Sequence, residues 1–176
     1  MQTNKIYAGI GSRKTPNSVL SQMEQIAKNL SLEGWLLRSG NCTGADQAFA
    51  KGANSVNPKL VELCLPWHGY EVNSIMSGNF CFTPIREAYE IAAKYHPAWH
   101  KCNSAAQALH ARNAQIILGA QLNEPVQQVI CWTPGGQLVG GTSLGIRIAQ
   151  AYRISVRNLA KECEAKSQAK QAIFYW

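Results

Sequence analysis

Three short segments concentrate residue types that hold an anion. The first runs Tyr7-Ala-Gly-Ile-Gly-Ser-Arg13 and contributes Gly9, Gly11, Ser12 and Arg13. The second, Arg38-Ser-Gly-Asn-Cys-Thr-Gly-Ala-Asp46, contributes Ser39, Gly40, Asn41, Thr43 and Asp46. The third is Gly140-Gly-Thr-Ser143, with Gly140, Gly141, Thr142 and Ser143. In each, glycine and hydroxyl residues lead into a helix-like pattern; an apolar run precedes the first two directly. A strand ending in such a loop aims backbone N–H groups and a helix N-terminus at one spot, which favours a phosphate or another anion. Three loops of this type in one chain fit a nucleotide-type ligand better than a lone sulfate-sized ion.

Each residue also has a plainer use. The glycines serve tight turns, and the hydroxyls serve as helix N-caps. Asp46, near a helix start, complements the helix dipole. Arg13, at the end of the first strand, is placed to meet an anionic group. Trp67 and Trp132 lie just beyond strands, where an aromatic ring stacks on a base or completes the core; Tyr70 and Trp99 are core aromatics. His96 and His100 stand four apart without a third ligand, and His110 falls outside that pattern, so no metal site is expected. The six cysteines (42, 64, 81, 102, 131 and 163) include no C-x-x-C pair, so free buried thiols are expected rather than zinc or disulfides. Cys42 is the exception to watch, because a thiolate is favoured inside an anion loop.

Alternating strands and helices must position these loops. Residues 5–10 read as a buried strand. Thr15-Pro16 reads as an N-cap followed by a first-turn proline. Val19, Met23, Ile26, Ala27 and Leu30 follow at helical spacing up to Gly34. Further strands are expected from Trp35, at Val61–Leu65, Val126–Trp132 and Ile154–Asn158. Further helices are expected at Gly44–Asn54, Pro84–Tyr95, Asn103–Ile117 and Thr142–Tyr152. Residues 67–83 read as one long loop, and 160–176 as a helical C-terminal tail. The alternation predicts an α/β, Rossmann-like fold over residues 1–176, one parallel sheet with helices on both faces. Ligands of such folds bind at the carboxyl ends of the strands.

The chain has 176 residues, a net charge of +7 and 46% apolar residues. That fits a single domain with a real core. No apolar run is long enough for a membrane span, and the N-terminus lacks a signal-peptide pattern, so a cytoplasmic protein is expected. The basic charge points to a polyanionic or phosphorylated partner but is too dispersed to choose between them.

The pattern Ala-Gly-Ile-Gly-Ser-Arg-Lys-Thr-Pro, a helix, then Ser-Gly-Asn-Cys-Thr-Gly-Ala-Asp resembles the Rossmann-like domain of the DNA-processing protein A family. Gly140-Gly-Thr matches the second motif of the broader SLOG superfamily, which includes the Lonely Guy phosphoribohydrolases. The resemblance covers about residues 5–55 and 110–160. It implies binding of a nucleotide-derived small molecule, sensed or sequestered without turnover; a cyclic ADP-ribose-type immune signal captured by a phage anti-defence protein is one such case. It places Arg112-Asn113 where the phosphoribohydrolases carry an arginine, so Arg112 and Asn113 join the ligand-binding set.

Two alternatives stand beside that reading. The first is an N-glycosidic hydrolase acting on a nucleotide, using Arg112 and Asp46. Against it, the phosphoribohydrolases place a catalytic glutamate after Gly-Thr, whereas Thr142 is followed here by Ser143-Leu144-Gly145-Ile146. The second is single-stranded DNA binding in recombination. No cofactor is expected, and a homo-oligomer is the default.

Overall fold

The computed structural model describes residues 5–71 and 78–162. Residues 72–77 of the expected loop and 163–176 of the expected helical tail lie outside the described residues. Six strands form one all-parallel sheet. They are β1 (Ile6–Gly11), β2 (Leu36–Ser39), β3 (Val61–Leu65), β4 (Asn79–Phe82), β5 (Gln128–Trp132) and β6 (Ser155–Asn158). Their spatial order is β4-β3-β2-β1-β5-β6. The chain therefore winds outward from β1 to β4, then crosses back to start again at β5. The switch point lies between β1 and β5, where Gly11 pairs with Trp132, and a crevice at the strands' carboxyl ends follows from that reversal.

Side-chain alternation divides the core in two. Tyr7, Leu37, Leu63 and Ile130 pack on one face against α1 (Asn17–Leu32) and α2 (Ala45–Asn54). Ile6, Ala8, Ile10 and Val129 pack on the other. That second face is covered by α3 (Arg86–Tyr95), α4 (Ser104–Leu118) and α5 (Thr142–Ala151). Successive strand residues point to opposite faces, so a sheet covered on both sides needs both sets apolar. Arg38 on β2 is the conspicuous buried charge, 1% exposed. It pairs with Glu62 on the neighbouring strand at 3.1 Å and with Glu124 at 3.0 Å. These partners make it a structural cation, separate from the loop that follows it.

Two expectations need correction. Residues 67–83 are not one loop, because β4 adds an edge strand at Asn79–Phe82. Its four residues carry too little periodicity to stand out beside a glycine- and serine-rich stretch. Thr15 is not the cap of α1, since Pro16 takes the N-cap position with extended backbone. The Thr15 hydroxyl instead donates to the Ser12 carbonyl at 2.6 Å, tightening the turn after β1.

Candidate functional site

A cleft of about 720 Å³ opens at the β1/β5 switch point. Its floor and rim come from four places. The β1 loop supplies Gly11, Ser12, Arg13 and Lys14; the β2 loop supplies Cys42, with Asp46 from the start of α2. The α3–α4 connection and α4 itself supply His96, Leu109, His110, Arg112 and Asn113. The segment entering α5 supplies Leu138, Val139, Gly140 through Ser143, and Arg147. Four cationic residues (Arg13, Lys14, Arg112, Arg147) and one acidic residue, Asp46, thus line the cleft. A cleft with that imbalance concentrates anions.

Asp46 is 3% exposed and fully engaged. Its two oxygens accept the amides of Gly11 and Cys42, both at 3.3 Å. Arg112 stands 3.6 Å away. Burial raises the Asp46 carboxyl above its ordinary range, while Arg112 and the Cys42, Gly11 and Gly40 amides pull it down. This carboxylate staples the β1 loop to the β2 loop, which explains an aspartate in the first turn of α2. It also consumes the Gly11 amide that the sequence pattern aims at an anion. Ser12 donates its amide to the Trp132 carbonyl at 3.2 Å, and Lys14 donates to the Ser12 hydroxyl at 3.0 Å. The main-chain amides of this first loop are largely spent on its own shape.

Arg112 is 4% exposed. Its Nη2 donates to Cys42 Sγ at 3.4 Å, while Nε and Nη1 have no hydrogen-bond partner among the described residues. Cys42 Sγ also lies 3.0 Å from the Tyr70 hydroxyl, which accepts from Arg13 Nη2 at 3.4 Å. Burial and the Cys42 sulfur push the Tyr70 phenol up to about 12, so it stays protonated. Arg112, Cys42, Tyr70 and Arg13 form a chain of contacts beneath one side of the cleft. Gly40 exists to make room for it, because a Cβ there would collide with the Arg112 guanidinium.

At the opposite wall, α5 begins without a side-chain cap and without an acidic residue in its first turn. Asn113 Nδ2 donates to the Gly141 carbonyl at 3.1 Å and ties this entry to α4. Gly140 needs glycine for its φ of 68°. Gly141 does not: its φ of −63° suits any residue, and a Cβ there would meet nothing within 4 Å.

The structure sorts the residues singled out by sequence. Gly11, Ser12, Arg13, Asp46, Arg112, Asn113, Gly140, Gly141, Thr142 and Ser143 line one cleft. Gly9 sits inside the sheet against Phe49 and Leu37. Ser39 is buried and donates to the Gly9 carbonyl at 2.6 Å. Thr43 donates to Glu71 at 3.4 Å. Asn41 is fully buried, and neither polar side-chain atom has a partner among the described residues. Trp67 stacks edge-on against Tyr70 at 5.2 Å, outside the cleft lining. Sequence reasoning missed Lys14, His96, His110 and Arg147 as cleft residues. Arg147 had a usable signal: it lies one helical turn beyond Ser143, on the face that the loop already marks.

Proteins of known structure share this fold. DNA processing protein A from Helicobacter pylori, a protein studied for its single-stranded DNA binding mode, aligns with a TM-score of 0.58 at 18% identity. The match covers 89% of this chain and 65% of that one. The fold is similar to that of DNA processing protein A. The same protein from Streptococcus pneumoniae aligns with a TM-score of 0.53 at 12% identity, over 89% of this chain and 50% of that one. The chain thus spans between half and two thirds of these relatives' length. The Moco carrier protein of Chlamydomonas rheinhardtii aligns with a TM-score of 0.54 at 14% identity, over 88% and 75% of the two chains. No protein-family model and no curated protein matches the chain by sequence. Among the described residues, no helix is long and apolar enough to cross a membrane.

Proposed function

We propose that this chain binds a nucleotide-derived small molecule in the β1/β5 cleft and returns it chemically unchanged. The observation that carries this reading is the cleft's composition. Four cationic residues and the uncapped start of α5 line it, against a single carboxylate already engaged by two amides and an arginine. The volume falls within the ~300–1,000 Å³ common for small-molecule sites. Leu109, Leu138 and Val139 add apolar wall for a base or sugar face. The fold shared with the Moco carrier protein is compatible with holding a small ligand.

Turnover lacks a carboxylate in the right state. Hydrolysis of an N-glycosidic bond proceeds through an oxocarbenium-like transition state, which a carboxylate usually stabilises. Asp46 is buried, and both its oxygens are occupied. Ser143 and Leu144 stand where a catalytic glutamate would follow Gly141-Thr142.

The test is a thermal-shift and calorimetric screen with nucleoside mono- and diphosphates, ADP-ribose and cyclic ADP-ribose, followed by mass spectrometry of the recovered ligand. Ligand at 100 times its Kd should stabilise the fold by about 2.7 kcal/mol. Arg13→Ala and Thr142→Val should weaken binding while the fold persists. No response to any nucleotide at millimolar concentration overturns the proposal. Free base or ribose phosphate in place of the recovered ligand restores the hydrolase reading.

A second reading, single-stranded DNA binding, draws on the fold shared with DNA processing protein A and on the net charge of +7. Oligonucleotide titration in the same screen separates it from the first.

A further inference from the structure

His96, Cys102 and His110 come from three different elements and meet at one end of the cleft. His96 ends α3, Cys102 follows the short turn Trp99–Lys101, and His110 sits in the second turn of α4. The imidazole rings of His96 and His110 are 4.4 Å apart. Cys102 Sγ lies 4.0 Å from Nδ1 and 3.9 Å from Nε2 of His96. One ligand atom from each residue lies within 4.8 Å of the other two. Among the described residues, the buried His110 Nδ1 has no hydrogen-bond partner. Buried polar atoms are nearly always satisfied, and an exception asks for an unseen partner.

We propose that these three side chains form a binding site for zinc(II), with the fourth coordination position open to the cleft. Two imidazoles and a thiolate suit a borderline-soft divalent cation, and three protein ligands leave the position that a closed structural site fills. Zinc–nitrogen bonds of about 2.0–2.1 Å and zinc–sulfur bonds of about 2.3 Å put tetrahedral ligand atoms roughly 3.3–3.8 Å apart. The present separations, 3.9–4.0 Å between Cys102 and His96 and at most 4.8 Å across the set, must close by up to about 1.5 Å on loading. Trp99 lies 6.1 Å from the His96 ring and 6.5 Å from the His110 ring, giving the site an apolar wall. His96 and His110 both line the cleft, which leaves the other side accessible.

Loading has a defined local chemistry. The Cys102 thiol, now directed at the Ala98 carbonyl 3.8 Å away, loses its proton to solvent and turns its sulfur to the metal. The lone pair of His96 Nδ1 now accepts the Ala98 amide at 3.2 Å. It exchanges that bond for the metal, or the ring rotates to present its other edge.

The inference is independent of which anion fills the cleft. The full chain, stripped with a chelator, is titrated with cobalt(II) chloride alone. A sulfur-to-cobalt charge-transfer band should appear, saturate at one equivalent and vanish on adding zinc chloride. Cys102→Ser should abolish the band, and Cys42→Ser, a cysteine elsewhere in the same cleft, should keep it. His110→Gln should weaken binding at least tenfold. Absence of the band with excess cobalt overturns the proposal, as does a band that survives Cys102→Ser. Should Cys102→Ser fail to fold by circular dichroism, X-ray absorption of the zinc-loaded native chain decides. Two imidazole nitrogens and one sulfur are expected, and a shell without sulfur, or with two sulfurs, overturns the site.

Discussion

Two glycines near the cleft differ in what an added side chain would meet, and the difference is measurable. Gly40 has Arg112 pressed against it, so the protein itself forbids a side chain. Gly141 has helical backbone and empty space where a Cβ would stand. Nothing within the described residues requires glycine there, and under the proposed binding mode the space beside it is left for the ligand. Gly141→Ala should therefore change stability by less than about 1 kcal/mol, the scale of the Gly/Ala helix difference. It should weaken nucleotide binding by contrast, and parallel denaturation and calorimetry check both halves. Unchanged affinity would remove the α5 entry from the ligand site. Asp46 tests the opposite case. Removing its charge leaves Arg112 buried with no carboxylate, a change that typically costs about 3–5 kcal/mol. Asp46→Asn should lower unfolding stability by roughly that amount in urea. A loss below about 1 kcal/mol, the scale of an ordinary hydrogen bond, would mean that the carboxylate is not what holds Arg112 in place.

At the scale of elements, the packing of α1 on α2 is set by small residues. Ala45, Ala48 and Ala53 are buried on α2, and Gly52 meets the main chain of α1 at Glu24. Helix propensity alone favours Gly52→Ala by about 1 kcal/mol. The added Cβ would press on the Glu24 carbonyl, which belongs to a helix backbone and cannot swing aside. Overpacking of this kind costs about 1–3 kcal/mol. The substitution should therefore destabilise on balance, and a rise in the unfolding midpoint would show that the helices slide apart freely. The same elements show what a sequence discloses. Strands β1, β3 and β5 are largely apolar runs that end at glycine, just before proline, or at tryptophan, and helix α1 carries a long periodic pattern. Each was legible because burial on a doubly covered sheet imposes its own spacing. Strand β4 was not, because a four-residue edge strand imposes almost none. The cleft was half legible. Gly11, Arg13 and Thr142 announced themselves through loop grammar, and Arg147 carried a weaker signal one turn beyond Ser143, whereas His96 and His110 reach the cleft only through helix packing, which no local pattern encodes. Ser39 and Gly9 shared the loop grammar yet serve the sheet, since a hydroxyl beside a glycine is equally useful for bonding a neighbouring strand.

For the molecule as a whole, the net charge of +7 draws in any polyanion, so charge alone cannot discriminate a nucleotide from DNA. Salt can. Binding of a nucleic-acid strand over a protein surface releases counterions, and log K falls with log salt by about 0.7 per phosphate neutralised on a single strand. Exposed charges interacting over more than about 10 Å are largely screened at 0.1 M salt. A nucleotide seated in the cleft contacts few phosphates at short range beside the partly buried Arg147 and the buried Arg112, where screening is weaker. Nucleotide affinity should therefore survive an increase from 50 to 300 mM salt with a shallow slope, while any oligonucleotide affinity should collapse. Calorimetry for the nucleotide and fluorescence anisotropy for a labelled oligonucleotide give the two slopes on one protein preparation. Equal slopes, or an oligonucleotide bound more tightly than every nucleotide at the higher salt, would move the functional surface out of the cleft and onto the basic exterior.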